Sequence, residues 1–123
     1  MIFSSGHHCN ETTIGHLFGP KDLVIHDALA HNCIVQGVRL SGAQRRSFRH
    51  ADLAHLDALL TQKRHKFEKC GVIIEGVYSM DGDIAPIPEF LALRKKHKFF
   101  LYVDESHATG TVGAGGGGTR ELF

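Results

Sequence analysis

The sequence of 123 residues lacks several features that define whole classes of protein. It has no apolar run approaching the ~18 residues of a membrane-spanning helix, and residues 1–6 lack the charged and apolar regions of a signal peptide. Its 14 Lys and Arg balance 13 Asp and Glu, so no field of one sign attracts nucleic acid or anionic lipid. We therefore expect a cytoplasmic protein with no nucleic-acid partner and no membrane segment.

Cysteine is also scarce, and several catalytic motifs are missing. Cys9, Cys33 and Cys70 are odd in number and widely spaced, which favours reduced, packed thiols over a disulfide framework. No HExxH, GxSxG or GxxxxGK[ST] motif occurs, so the sequence shows no signature of a zinc protease, an α/β-hydrolase or a P-loop nucleotidase.

What the sequence does contain is a regular alternation of helix and strand patterns. Its 42% hydrophobic and 22% charged residues are typical of one globular domain. Apolar runs predict strands at 23–26, 46–49, 72–75 and 99–103, and the first and last resemble strands buried on both faces. Helical patterns lie at 10–18, after Asp27, at 51–63 and from Pro88 to His97. This order predicts a three-layer α/β/α sandwich with a mainly parallel sheet.

Helical spacing also predicts which side chains face the core. The third helix carries an apolar stripe of leucines, and the second helix is marked by Cys33, Val35, Val38 and Leu40. In the fourth helix we expect Phe90, Leu91 and Leu93 to face inward.

Polar segments follow three of the predicted strands. They span residues 27–32, 75–83 and 104–110. Because ligands of such sheets bind outside the carboxyl ends of the strands, these segments are the candidate site.

Each polar segment also has a purely structural interpretation, and the sequence leaves both open. Asp27 suits the N-cap of the following helix, and His31 suits a structural histidine. Residues 75–83 suit an ordinary capped turn. Asp104 suits a turn cap, and His107 suits a hydrogen-bonded core histidine.

Two further segments of the sequence are rich in glycine or begin a helix with one. Residues 4–8 precede a helix and combine serine hydroxyls with the backbone N–H groups of a helix start, a combination that indicates a phosphate site only when other features support it. Residues 113–118 match GxGxxG, but they do not directly follow a strand, so we discount a dinucleotide fingerprint. A glycine-rich tail does not pack as a finished domain edge, and we expect the chain to be part of a longer one.

Taken together, residues 27–32, 75–83 and 103–107 resemble the α-oxoamine synthases, which are pyridoxal-phosphate (PLP) enzymes of the aminotransferase class I and II fold. The resemblance extends over residues 3–123. It implies the N-terminal half of the large domain of a PLP-dependent transferase of fold type I. It also implies condensation of an amino acid with an acyl-CoA with loss of CO2, with a small preference for the 8-amino-7-oxononanoate synthase type over the serine palmitoyltransferase type.

The resemblance assigns three residues to the cofactor ring. His31 matches the histidine that stacks on the pyridine ring. Asp104 matches the carboxylate that pairs with the pyridinium nitrogen. His107 matches the histidine that hydrogen-bonds the phenolic oxygen. The chemistry agrees, because PLP is an electron sink only while its ring nitrogen is protonated, and a nearby carboxylate favours that state.

The resemblance assigns further residues to the surroundings of the ring. Ser5, Gly6 and His7 match the loop that opens a helix near the cofactor phosphate. Glu75 and Ser79 match residues that line the same site, and with His31 and His107 they are the candidate catalytic residues.

Departures from the family pattern limit this interpretation. The Schiff-base Lys and the small domain of the family would lie beyond Phe123, and Gly117 replaces an Arg of the family's glycine loop. We therefore expect the isolated chain to be inactive, whereas full-length relatives would form homodimers. Two alternatives remain. The first is a non-catalytic module that binds PLP or complements a partner chain. The second is a metal-dependent hydrolase that uses Asp104 and His107 as metal ligands, although the sequence shows no third ligand.

Overall fold

The computed structural model describes residues 6–78 and 82–122, in which four helices alternate with four strands. The helices are α1 (Gly6–Leu17), α2 (Asn32–Ser41), α3 (Leu53–Lys63) and α4 (Ile87–His97). The strands are β1 (Leu23–Asp27), β2 (Gln44–Phe48), β3 (Cys70–Glu75) and β4 (Phe100–Asp104). All pairings are parallel, in the order β2-β1-β3-β4. No helix within the described ranges combines the length and apolarity needed to cross a membrane.

The sheet separates two apolar cores, which confirms the predicted three layers. Successive side chains of a strand point to opposite faces. Leu23 and Ile25 therefore join one cluster with buried residues of α3 and α4. Val24, between them in sequence, joins the other cluster with α1 and α2. The helical members of these clusters include Leu56, Leu60 and Phe90 on the first face and Ile14, Ile34 and Val38 on the second.

Two details at the helix starts differ from the sequence prediction. The first helix begins at Gly6 instead of residue 10, because the turn that precedes its apolar stripe is polar and carries no periodic signal. Asp27 does not cap α2, since it is the last residue of β1. The cap is His31, whose side chain accepts a hydrogen bond from the Cys33 backbone N–H.

Burial of the last strand also differs from the prediction. All residues of β1 are buried, as expected, but Phe100 of β4 is 58% exposed because β4 lies at the edge of the described sheet. The two central positions belong to β1 and β3, and both strands are buried throughout. In α4, Phe90 is buried and Leu93 packs on the core, whereas Leu91 is exposed because it lies about 100° around the helix from Phe90.

Close packing at one glycine gives a stability prediction. The ring of Phe18 lies directly over Gly71 of β3, and a Cβ at Gly71 would overlap its Cζ and Cε1 atoms. We expect Gly71→Ala to lower the free energy of unfolding by about 1–3 kcal/mol, the usual cost of overpacking. Urea denaturation measures the change.

A matched glycine provides the control. A Cβ at Gly15, inside α1, would meet Leu40 Cβ at an ordinary 3.6 Å. Gly15→Ala should therefore stabilise the protein by about 0.5–1 kcal/mol through helix propensity. Equal effects of the two substitutions, or a neutral Gly71→Ala, would show that Phe18 does not constrain β3.

Candidate active site

Three neighbouring strands each end in a buried carboxyl group. Asp27 ends β1, Glu75 ends β3 and Asp104 ends β4, and their exposed fractions are 0%, 2% and 8%. Glu75 and Asp104 are register partners, so the carboxyl groups form a row along one edge of the sheet. The structure thus brings the candidate residues of three separate segments to a single edge, as the strand-end rule predicted.

Asp104 is held by a set of short hydrogen bonds. Its Oδ2 accepts from Asn10 Nδ2 at 2.7 Å. Its Oδ1 accepts from the Ser106 backbone N–H at 2.9 Å and from the Ser106 hydroxyl at 2.6 Å. The predicted turn-capping role is therefore real, but these donors are neutral, and they orient the carboxylate without neutralising it.

Asn10, which sequence reasoning missed, controls the orientation of Asp104. It is only 4% exposed, and its Oδ1 accepts a hydrogen bond of 2.9 Å from the Tyr102 hydroxyl. Burial, with help from the Cys9 and Asp104 side chains, raises the pKa of Tyr102 to about 12, which keeps this hydroxyl a donor at neutral pH. The sequence does contain one indication of this role: Asn10 is a polar residue four positions before Ile14, so it lies on the helix face that packs inward.

The Asp27 carboxylate has different hydrogen-bond partners from those of Asp104. It accepts hydrogen bonds from the backbone N–H groups of Leu29 at 2.8 Å and Ala51 at 3.0 Å. Its carboxylate also faces His50 Nδ1 at 2.9 Å. Sequence reasoning did not single out His50, because nothing local to residue 50 indicates a partner in the first strand.

Glu75 lies between these two carboxylates, but its own carboxyl group has fewer hydrogen-bond partners. Its Oε2 is buried without a hydrogen-bond partner. Burial, followed by the charges of Asp104 and Asp27, raises the pKa of Glu75 to about 7, while the backbone N–H of His31 acts in the opposite direction. A substantial fraction of Glu75 is therefore protonated at neutral pH.

The two candidate histidines lie at the rim of this edge. His31 is exposed, and its Nδ1 accepts from the Cys33 backbone N–H at 3.2 Å, so a neutral His31 carries its proton on Nε2. His107 lies in the turn that follows β4 and is exposed. The core interpretation of His107 is therefore wrong, because the chain turns outward directly after Asp104.

The remaining predicted site residues are only partly described. Gly6 and His7 are the first residues of α1, where backbone N–H groups lack helical partners. Ser5 and Ser79 lie outside the described residues. The segment predicted as a turn after β3 is a short hairpin, in which Val77 pairs with Ile84 and the Tyr78 N–H donates to the Asp83 carbonyl at 3.0 Å.

The glycine-rich segment folds back on the same edge. The Gly110 N–H donates to the Gly116 carbonyl at 2.7 Å. Glu105, directly after Asp104, accepts hydrogen bonds from the hydroxyl and the backbone N–H of Thr119. Its carboxylate leaves no room for a side chain at Gly76, where a Cβ would lie 2.7 Å from Glu105 Oε2. This segment therefore packs against Glu105 and Gly76 at the carboxyl edge, and Glu105 is a further residue that sequence reasoning missed.

An open cavity of about 280 Å³ lies beside Asp104, bounded by residues of α1, β4 and the following turn. A larger groove of about 550 Å³ lies at the other end of β4, next to Phe100, and contains none of the candidate residues. Within residues 6–78 and 82–122, no group of at least three His, Cys, Asp or Glu side chains is placed to hold a metal ion. The described residues thus give the hydrolase alternative no ligand set.

Comparison with known proteins relates this arrangement to one family. The family model described as aminotransferase class I and II matches residues 1–120. The 8-amino-7-oxononanoate synthase of Treponema denticola is 42% identical over 123 residues, which are all of this chain and 31% of that protein. The chain thus spans about a third of the length of the curated relatives it matches.

Solved structures show the same relationship. A serine palmitoyltransferase from S. paucimobilis with a bound PLP–myriocin aldimine superposes with a TM-score of 0.91 at 39% identity, over 98% of this chain and 30% of that one. The 8-amino-7-oxononanoate synthase of Francisella tularensis superposes with a TM-score of 0.79 at 30% identity, over 98% of this chain and 33% of that one.

Proposed function

The chain belongs to the aminotransferase class I and II family, and on this basis we propose that its carboxyl edge is the PLP-binding part of an acyltransferase. The reaction would condense an amino acid with an acyl-CoA and release CO2, as in the 8-amino-7-oxononanoate synthase type. The observation that carries the proposal is the buried Asp104 carboxylate, which neutral donors hold in one orientation.

The residues present fit this cofactor. A buried carboxylate held only by neutral donors is stabilised by a cation, because burial without charge compensation is costly. The protonated ring nitrogen of PLP supplies such a cation. Glu75 Oε2, which lacks a partner, offers a second unfilled polar position on the same edge.

When bound, PLP would supply an electron sink for negative charge that develops on the amino acid substrate. The chain's own residues bind and orient it. Asp104 would hold the proton on the ring nitrogen, His31 would cover one face of the ring, and His107 would hydrogen-bond the phenolic oxygen. The cap contact to the Cys33 N–H at 3.2 Å would hold the His31 imidazole in one orientation.

Further residues complete the proposed site. The backbone N–H groups of Gly6 and His7, with the Ser5 hydroxyl, would bind the phosphate at the start of α1. Glu75 and Ser79 would line the substrate side. Glu75 can hold a proton there at neutral pH, because its pKa is raised to about 7.

We further propose that residues 1–123 are the N-terminal half of the large domain, with the Schiff-base Lys and the small domain supplied by further chain. On this view the isolated segment does not turn over, and the working enzyme is a cytoplasmic homodimer. The coverage of 31% of the relatives' length supports this division. A partner chain that supplies the Lys is the alternative.

The test uses the complete encoded polypeptide. It is purified with PLP, treated with borohydride to fix any covalent link, and mapped by peptide mass. Amino-acid-dependent release of CO2 is then assayed with acyl-CoA and with alanine, glycine and serine in turn. We expect PLP on a Lys outside residues 1–123, CO2 release with one amino acid, and no turnover by residues 1–123 alone.

Each other outcome has a distinct meaning. Absence of PLP binding overturns the proposal. PLP binding without a covalent link or turnover identifies the non-catalytic module instead. Turnover by residues 1–123 alone contradicts the expected inactivity of this segment.

A further inference from the structure

His50 connects two carboxylates that belong to different loops. Its Nδ1 lies 2.9 and 3.1 Å from the two carboxylate oxygens of Asp27, at the end of β1. Its Nε2 lies 2.6 Å from Asp83 Oδ2, in the hairpin that follows β3. The ring is half-buried and packs edge-on against Tyr78, with the ring centroids 4.6 Å apart.

This geometry requires a charged imidazole. A neutral imidazole donates through one nitrogen only, whereas an imidazolium donates through both. Both nitrogens of His50 face carboxylate oxygens, which accept but cannot donate when ionised. Partial burial disfavours the cation, but the hydrogen bonds to Asp27 and Asp83 outweigh it and raise the pKa of His50.

The groups that face His50 in the described structure come from two elements. They are Asp27 of β1 and Asp83 and Tyr78 of the hairpin. Burial and the Asp27 carboxylate raise the pKa of Tyr78, so its hydroxyl stays neutral across the accessible pH range. The charge on His50 is thus controlled by two carboxylates.

Asp27 extends this contact to the loops after β1 and β2. It accepts from the Leu29 N–H, in the loop that leads to His31. It also accepts from the N–H of Ala51, which has a left-handed φ of 53° that costs a non-glycine residue energy. A strained residue held by a buried carboxylate indicates that the surrounding contacts determine this loop conformation.

We propose that protonated His50 is a positioning residue of the active site, which holds the loops after β1, β2 and β3 in one arrangement. Through Asp27 it fixes the loop of His31, and through Asp83 it fixes the hairpin that begins directly after Glu75. The part concerning the cofactor rests on the proposed function. Because the folded-state pKa of His50 is raised, the contact is complete below the ordinary pKa of histidine and is lost as the pH rises through the raised value.

The test compares His50→Gln and Asp83→Asn with the wild type in the complete polypeptide. Amide hydrogen exchange is measured at Ala51, Tyr78 and Gly82, and PLP affinity is measured by titration across pH. We expect exchange about tenfold faster in both variants, from loss of one charge-assisted hydrogen bond. We also expect PLP affinity about tenfold weaker, from misplaced binding groups. Wild-type affinity should fall with rising pH, and His50→Gln should remove that dependence.

Asp57→Asn is the matched control. It breaks another His–carboxylate contact, between His97 Nε2 and Asp57 Oδ1 at 2.6 Å, which joins α3 and α4 away from the carboxyl edge. It should leave the exchange of the three amides and the affinity for PLP unchanged.

The outcomes separate this inference from the proposed function. Unchanged exchange in His50→Gln overturns the inference. Faster exchange with unchanged PLP affinity also overturns it, because His50 would then be structural only. A wild-type protein that does not bind PLP overturns the proposed function, and in that case the exchange result alone decides whether His50 holds the loops.

Discussion

Asp104→Asn is expected to reduce turnover of the complete polypeptide by roughly 100- to 1,000-fold, because the substitution removes the charge that, in the proposed function, keeps the cofactor nitrogen protonated. Loss of one partner of a buried charge pair costs about 3–5 kcal/mol. Asn retains the shape, and its oxygen can still accept from Ser106, which donates to Asp104 at 2.9 and 2.6 Å. The measurement is CO2 release at saturating substrate, together with the absorbance of the bound cofactor.

A buried Asp at the opposite edge of the sheet controls for general damage. Asp22 is 3% exposed and accepts from the backbone N–H groups of Gly19 at 2.8 Å and Lys69 at 3.2 Å. Asp22→Asn should lower stability without lowering turnover of the folded enzyme. If Asp104→Asn instead matches wild-type turnover, Asp104 does not face the ring nitrogen.

Glu75→Gln should change how stability depends on pH. The folded-state pKa of Glu75 is about 7 against an ordinary 4.5, so the folded protein binds this proton more tightly than the unfolded chain. Stability is therefore lost as the pH rises above about 4.5, and the loss approaches about 3 kcal/mol above pH 7. Glutamine stays neutral, so the variant should lack this loss.

Urea denaturation of the cofactor-free protein between about pH 5 and pH 8 measures the difference. Wild type should lose about 2–3 kcal/mol more than Glu75→Gln over this range. Glu89 in the first turn of α4 is exposed, and Glu89→Gln should leave the wild-type slope unchanged. Parallel pH profiles for wild type and Glu75→Gln would show that folding does not raise the pKa of Glu75.

The sequence predicted whether a segment is a strand or a helix wherever that segment buries one or both of its faces. The apolar residues of β1 and β3 reflect full burial on both faces. The second strand gave a weak pattern, because only Phe48 at its end is buried. Strand limits were less predictable: β3 begins at Cys70 instead of residue 72, since Cys70 pairs with Leu23 across the sheet.

The site was predictable only for residues that follow strands. Asp27, Glu75 and Asp104 could be grouped because parallel neighbours end at one edge. Asn10 and His50 could not, because their carboxylate partners lie 94 and 23 positions away in sequence. No local pattern encodes which helix or loop packs beside a strand end.

The sequence by itself determined the order of elements, the three layers and the acidic residues at the strand ends, because these follow from local periodicity and from the geometry of parallel sheets. Only the tertiary structure decided which hydrogen-bond partners each carboxyl group has. Asp104 is held by neutral donors, Asp27 faces a bridging His50, and Glu75 keeps an oxygen without a partner. Those differences depend on burial and on partners brought together by packing, and they set the charge that each group carries.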